Sequence, residues 1–308
     1  MMEKSIIIIG GGLAGLSTGC YGRMNGYKTT IFEMHNIAGG VCTAWKRKGY
    51  TIDGAMNWLM GTRPGSEFYN FWEELGAAQE WKIHNHDHYL IREDKEGRAF
   101  TIYCNADRFE KYLLELAPED SDVIKEFTQA IRSFSDLSIP TEKPVELMGP
   151  ADQAQMAQML PGMQFMQKWA EMSTHDFAQR LKNSYLREVF LKLPALPMIM
   201  HVMVLGLQHT QSAGYVIGGT LALVKSIEKR YRDLGGKIHF NSKVVKIIVE
   251  DNKAVGVMLE NGQEYRADYI VSAGDGRTTI FDLLGGKYID EKIKSMYDQP
   301  KLFAPLVH

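Results

Sequence analysis

Glycines are the first residues whose type and spacing suggest chemistry. Residues 5–15 read SIIIIGGGLAG, so Gly10, Gly12 and Gly15 stand in a G-x-G-x-x-G spacing directly after four isoleucines. The first glycine of such a motif permits a tight strand-to-helix turn, the second lets backbone approach a pyrophosphate, and the third lets helix pack on strand. The helix that follows offers amide donors and the positive end of its dipole to an anion. Glu33 stands at about the distance from these glycines where an acid accepts hydrogen bonds from ribose hydroxyls, and an acid there disfavours a 2'-phosphate. A second glycine pair, Gly39 and Gly40, follows closely. A travelling NAD does not require a further close-approach site after the ribose acid, whereas an extended FAD does. GYVIGG at 214–219 lacks the spacing of a second dinucleotide motif, so no separate NAD(P)H fold is expected.

Other reactive residue types carry less. His84, His86 and His88, with Asp87, share one face if that stretch is extended. No further Cys or carboxylate set accompanies them to close a metal site, and the expectation is a solvated loop with no metal. Cys20, Cys42 and Cys104 show no CxxC spacing and read as free thiols, Cys42 as a structural one with no resolving partner nearby. Asp53, Asn57 and Trp58 follow the second glycine pair and are candidates for the neighbourhood of a flavin ring, with a turn role for Asp53 and a core role for Trp58 as the alternatives. No Ser-His-Asp spacing, HExxH or Walker motif supports hydrolysis or ATP use, and no catalytic residue is assigned.

The elements that must position these residues are legible around them. Ser5–Ile9 is a β-branched run without polar alternation, the pattern of a parallel strand buried on both faces. Residues 13–25 read as a helix with Gly26 as its stop, and Lys28–Glu33 as a second strand. HYLIRE and AFTIYC flank a turn at 94–98 and predict a hairpin over roughly 87–104. From about 106 to 205 the chain reads as mainly helical, broken by Pro118, Pro140, Pro144, Pro150, Pro161, Pro194 and Pro197. Its methionines, among them Met148, Met156, Met159, Met163, Met166, Met172, Met198, Met200 and Met203, suit either an adaptable core or a tunnel for a long apolar molecule. Leu223, Ile227, Tyr231 and Leu234 then recur at helical spacing, short strands follow with Asn261-Gly262 as a hairpin turn, and residues 269–273 form another buried strand.

A chain of 308 residues exceeds one ordinary core. Hydrophobic residues at 45% and a net charge of -2 fit a folded chain and argue against wide nucleic-acid contact. The longest apolar segment, Leu191 to Leu207, is interrupted by Lys192, Pro194, Pro197 and His201 and falls short of a membrane span. The cysteine usage suits a cytoplasmic location, with peripheral contact to a bilayer left open.

The combination of GGGLAG, Glu33 with Gly39-Gly40, GYTIDGAMNWL at 49–59, the helix-to-strand run from Gly218 and EYRADYIVSAGD resembles the phytoene desaturase and retinol saturase group of the flavin amine oxidase-like superfamily. The likeness is dense over residues 1–62 and 214–276 and general elsewhere. It implies an α/β fold with a doubly wound, Rossmann-type FAD-binding domain and a three-stranded β-meander, interrupted by a mainly helical substrate or lid insertion. The expected partition is 1–85 with 206–280 for the FAD-binding domain, 86–205 for the hairpin and helical insertion, and 281–308 for the start of a substrate-domain segment. The resemblance also implies a non-covalent FAD on the amides of Gly12, Leu13, Ala14 and Gly15, the ribose on Glu33, and Met34, Gly39, Gly40, Val41 and Cys42 along the path to the ring. Val244 would meet the adenine through its backbone, and Ala273 completes the cofactor set. Such enzymes transfer hydride between flavin and a carbon-carbon bond of a hydrophobic isoprenoid, carotenoid or retinoid substrate; an amine oxidase-like activity and a non-catalytic flavin- or lipid-binding role are the alternatives. Two departures stand out. Val41 occupies the position where many relatives place arginine, and the sequence ends at His308 where relatives continue.

Overall fold

The structure is a computed structural model, and it describes residues 3–79, 81–135, 143, 147–152, 160–193 and 195–298. Pro140, Pro144, Met156, Met159, Pro194 and residues 299–308, all part of the sequence expectations, lie outside the described residues. Two compact units emerge: residues 1–57, 72–81 and 216–308 form the first, and residues 58–71 and 82–215 the second.

The first unit is built on a four-stranded parallel sheet. The isoleucine run forms β1 (Ser5–Ile9), in the bounds its β-branched character predicts, with Ile7 and Ile8 fully buried. β1 pairs on one side with β2 (Lys28–Phe32) and on the other with the strand Tyr269–Ser272, while Lys237–His239 pairs with the far side of β2. Between β1 and β2 runs α1 (Leu13–Met24), one residue shorter than expected; Asn25 caps it and Gly26 adopts φ +80. The helix packs so closely that a Cβ on Gly19 would come within 2.6 Å of the Tyr231 ring, on the helix Gly219–Asp233. A three-stranded antiparallel sheet, Val244–Glu250, Lys253–Leu259 and Glu264–Arg266, contributes Val244, Ile247, Val257 and Leu259 to one buried cluster with Ile7, Ile9 and Phe32.

The second unit contains the hairpin His88–Glu93 with Ala99–Tyr103 and a set of helices including Ala106–Leu116, Ser121–Ser135, Ser184–Leu191 and Met198–His209. Its core is aromatic: Phe100, Phe109, Phe127, Trp169, Phe177 and Phe190 are buried together.

The units depart from the expected partition at their edges. Residues 58–71, 82–85 and 206–215 belong to the second unit, not the first. Long-range pairing is the reason: Leu59–Met60 forms an antiparallel ladder with Ala213 and Gly214, and the helix Met198–His209 runs unbroken through position 206. Residues 281–298 cluster with the first unit, where Leu283 joins its core. Among the described residues no helix is long and apolar enough to cross a membrane.

Candidate functional site

The glycine segment forms a tight turn from β1 into α1. Gly10 adopts φ +99 and donates its N–H to the Phe32 carbonyl at 2.9 Å. Gly12 is the N-cap residue, in extended backbone; it supplies no side-chain cap, and the first turn of α1 holds no acid. The Leu16 amide is bonded to the Gly12 carbonyl at 2.9 Å, so the amides of Leu13, Ala14 and Gly15 have no intrahelical acceptor and remain for an anion. Gly15 is fixed by sterics, since a Cβ there would fall 1.9 Å from the Gly10 carbonyl oxygen.

The second glycine pair abuts this turn backbone to backbone. Gly39 donates to the Gly11 carbonyl at 2.9 Å and bridges Gly12 in parallel, and a Cβ on Gly40 would lie 3.3 Å from the Gly12 Cα. Both glycines sit at positive φ, +129 and +59. Glycine is required at 39 because a Cβ there would fall 2.5 Å from the Cys42 carbonyl oxygen, and it is favoured at 40 by the positive φ and the close approach to Gly12.

Glu33 lies just past β2, only 4% exposed. One carboxylate oxygen accepts the Gly11 amide at 2.6 Å and the other the His35 amide at 2.8 Å. Each oxygen keeps a second lone pair for a ribose hydroxyl. Its backbone is pinned by a bond to His239 and another from Ser242. Ala273 donates to the Ile9 carbonyl at 2.9 Å, and its own carbonyl borders Gly10. Gly10–Gly15, Glu33, Gly39, Gly40 and Ala273 thus meet at the C-terminal edge of the parallel sheet, where the strand order reverses direction about β1, the usual dinucleotide position of such sheets. The bare helix N-terminus, the glycine cradle and the half-satisfied acid fit the pyrophosphate and ribose of FAD.

The remaining expected residues lie around this edge. Met34 and Val41 are exposed, Val41 at 85%, so no charge stands where many relatives place arginine. Cys42 is partly buried; burial pushes its thiol pKa up and the nearby Asp53 carboxylate adds to this, which leaves it a poor nucleophile. Val244 turns its side chain into the core and pairs with Leu259.

Asp53 has a role that neither sequence expectation described. It accepts the Thr220 amide at 2.6 Å and the Thr220 hydroxyl, and also the Ala55 amide at 3.2 Å. Burial works to raise its pKa, but the Thr220 bonds and the amides of Ala55 and Met56 outweigh this and hold it below the usual Asp value. It caps the helix Gly219–Asp233, whose own N-cap, Gly218 at φ +101, has no side chain to do so. A helix starting on two glycines was the one sequence signal for a borrowed cap.

The histidines do not form one extended face: His84 ends one short strand and His88 begins another. Asp87 is taken by Arg108 at 2.6 Å, and among the described residues no three His, Cys, Asp or Glu are grouped to hold a metal. Within the second unit, Met60, Phe68, Phe134, Met203 and Leu207 line a cavity of about 320 Å³ that Arg63 also borders.

Residues 13–279 match the family described as flavin containing amine oxidoreductase. Phytoene desaturase (lycopene-forming) from Paracoccus sp. is 26% identical over 293 residues, covering 92% of this chain and 57% of that protein. Prolycopene isomerase 2 from an Oncidium hybrid cultivar is 24% identical, covering 95% of this chain and 52% of its own length. The chain therefore spans about half the length of the curated relatives it matches. An oxidoreductase from Methanosarcina mazei shares the fold, with a TM-score of 0.59 at 19% identity over 96% of this chain and 64% of that one.

Proposed function

Because the chain belongs to the flavin-containing amine oxidoreductase family, we propose that it takes FAD as its cofactor and is an oxidoreductase transferring hydride between the flavin and a carbon-carbon bond of a hydrophobic isoprenoid of carotenoid or retinoid type. One observation carries the reading: two glycine segments and a buried acid, separate in the sequence, converge on a helix N-terminus without a side-chain cap at the sheet edge. The relatives named for lycopene and prolycopene support a polyene substrate.

Bound FAD supplies the hydride donor or acceptor that no side chain can. The chain's own residues bind and orient it. The amides of Gly12, Leu13, Ala14 and Gly15 receive the pyrophosphate, and Glu33 accepts from the ribose hydroxyls. Met34, Gly39, Gly40, Val41 and Cys42 line the route toward the ring, Val244 offers backbone to the adenine, and Ala273 closes the edge beside Gly10. The helical insertion acts as substrate or lid unit, its methionine- and phenylalanine-lined cavity receiving an apolar chain and excluding water. A substrate of this kind partitions into lipid, so the protein works at a bilayer surface on its cytoplasmic side.

The test is the absorbance spectrum of the purified protein, with bound flavin expected to bleach when a polyene substrate is added. A colourless preparation that takes up no FAD on refolding would overturn the reading. Glu33→Ala should weaken FAD retention at least about tenfold, the loss of charged hydrogen bonds each worth about 1.5–3 kcal/mol; unchanged retention would mean that the ribose is held elsewhere.

A further inference from the structure

Residues 44–53 form a hairpin that the cofactor site does not use, Asp53 serving to cap the helix Gly219–Asp233. Ala44–Arg47 pairs with Tyr50–Asp53 in antiparallel register, Trp45 opposite Ile52 and Arg47 opposite Tyr50. Strand alternation therefore puts Trp45, Arg47, Tyr50 and Ile52 on one face. That face is left open to solvent: Tyr50 is 77% exposed, and Trp45 and Ile52 are each more than a third exposed. Val41, still more exposed, precedes the hairpin.

The tip adds charge. Lys46, Arg47 and Lys48 are consecutive cations, and the only acid in 41–53, Asp53, is engaged by Thr220. Among the described residues none of the three forms an ion pair. The two-residue turn is Lys48-Gly49, both at positive φ, +49 and +83. This is the turn geometry for which Asn-Gly is the favoured pair, and lysine adopts it at a conformational cost. A cation stands at the tip although the backbone favours another residue, and strain of that kind points to function.

We propose that the hairpin Ala44–Asp53 docks the protein on an anionic lipid bilayer, with Trp45, Tyr50 and Ile52 entering the headgroup region and Lys46, Arg47 and Lys48 on lipid phosphates. Aromatic side chains with an apolar body and a polar tip favour that region, and cations beside them add attraction to anionic lipid. Aliphatic Ile52, on the same face as Trp45 and Tyr50, suits acyl chains and has no stacking use on a nucleic acid. The inference deepens the reading of a lipid-borne substrate, but it stands on the hairpin alone. A docking failure with flavin absorbance intact would leave the flavin assignment in place.

The experiment is vesicle flotation of the full chain, using phosphatidylcholine alone and phosphatidylcholine with phosphatidylglycerol. The protein should float with the anionic vesicles, float weakly with the neutral ones, and be released as salt rises well above about 0.1 M, where charges are screened within about 10 Å. Lys48→Asn is the decisive variant. It keeps the favoured turn, so thermal stability and flavin absorbance should equal or exceed those of the wild type while anionic-vesicle binding falls several-fold. Lys46→Gln with Arg47→Gln should lower binding at least tenfold, and Tyr50→Ser should lower binding to both vesicle types. Wild-type protein that ignores anionic vesicles, or Lys48→Asn protein and the doubly substituted Lys46→Gln, Arg47→Gln protein that float like wild type, would overturn the proposal. So would an RNA oligonucleotide that binds the tip in preference to lipid, or a lipid-independent dimer dispersed by Tyr50→Ser.

Discussion

At Gly15 a single methyl group would meet the Gly10 carbonyl at 1.9 Å, while at Phe127 an entire phenyl ring sits among Phe109, Trp169, Phe177 and Phe190 at centroid distances of 5.1–6.4 Å. The nucleotide turn is specified by side chains that must be absent, the helical insertion by side chains that must be large. A position defined by absence accepts one residue. A position defined by volume accepts any apolar group that fills the space in an allowed rotamer.

The largest expected effect follows from the first kind of position. Gly15→Ala should destabilise the protein by about 4 kcal/mol, in the range reserved for severe core faults, and should abolish FAD retention. Urea unfolding followed by circular dichroism measures the first, and flavin absorbance after gel filtration the second. Retained flavin with a cost under about 1 kcal/mol would show that the turn can open, and the contrast with the insertion would fail.

Phe127→Ala comes next, at about 3 kcal/mol from lost burial and the cavity left behind. Phe127→Leu should recover more than half of that, since the ring has no polar partner to replace. Equal losses from both variants would mean that ring shape, not volume, holds the insertion together.

The same contrast decides what was readable from the sequence. β1, α1 and β2 were legible because β-branched residues, glycine spacing and Gly26 act locally, within a few residues of the structure they cause. Glycines that keep side chains out leave a strict spacing, so the turn was visible. The hairpin at 44–53 was missed because Lys48 is a poor marker for a turn that wants asparagine. The turn role read for Asp53 is present in its bond from the Ala55 amide, but its cap of the distant helix was invisible because its partner, Thr220, lies 167 residues away. The pairing of Leu59–Met60 with Ala213 and Gly214 was equally invisible, and it moved the unit boundary. Volume-defined positions such as Phe127 carry no spacing rule beyond helical periodicity.

The smallest expected effect tests the insertion's tolerance from another side, by changing charge at nearly constant shape. His201 lies on the helix Met198–His209, with its Nε2 3.2 Å from the Thr174 hydroxyl oxygen. That hydroxyl already donates to the Leu196 carbonyl at 2.8 Å, so it can only accept from the imidazole, which assigns the proton of the neutral ring to Nε2. Burial lowers the His201 pKa below the ordinary value of 6.5, because a charged ring would lose its hydration. In the unfolded chain the same ring titrates near that ordinary value and binds more protons over the interval between the two pKa values. Stability must therefore rise with pH across this interval and fall as pH drops below about 6.5. The thermal midpoint of the wild type should decline from pH 7.5 to 5 more steeply than that of His201→Gln, the two curves converging toward the acidic end. Parallel curves would show that the ring takes up its charge in the folded state at no extra cost. The insertion would then tolerate buried charge as well as altered volume, and the contrast with the glycine turn would extend from shape to electrostatics.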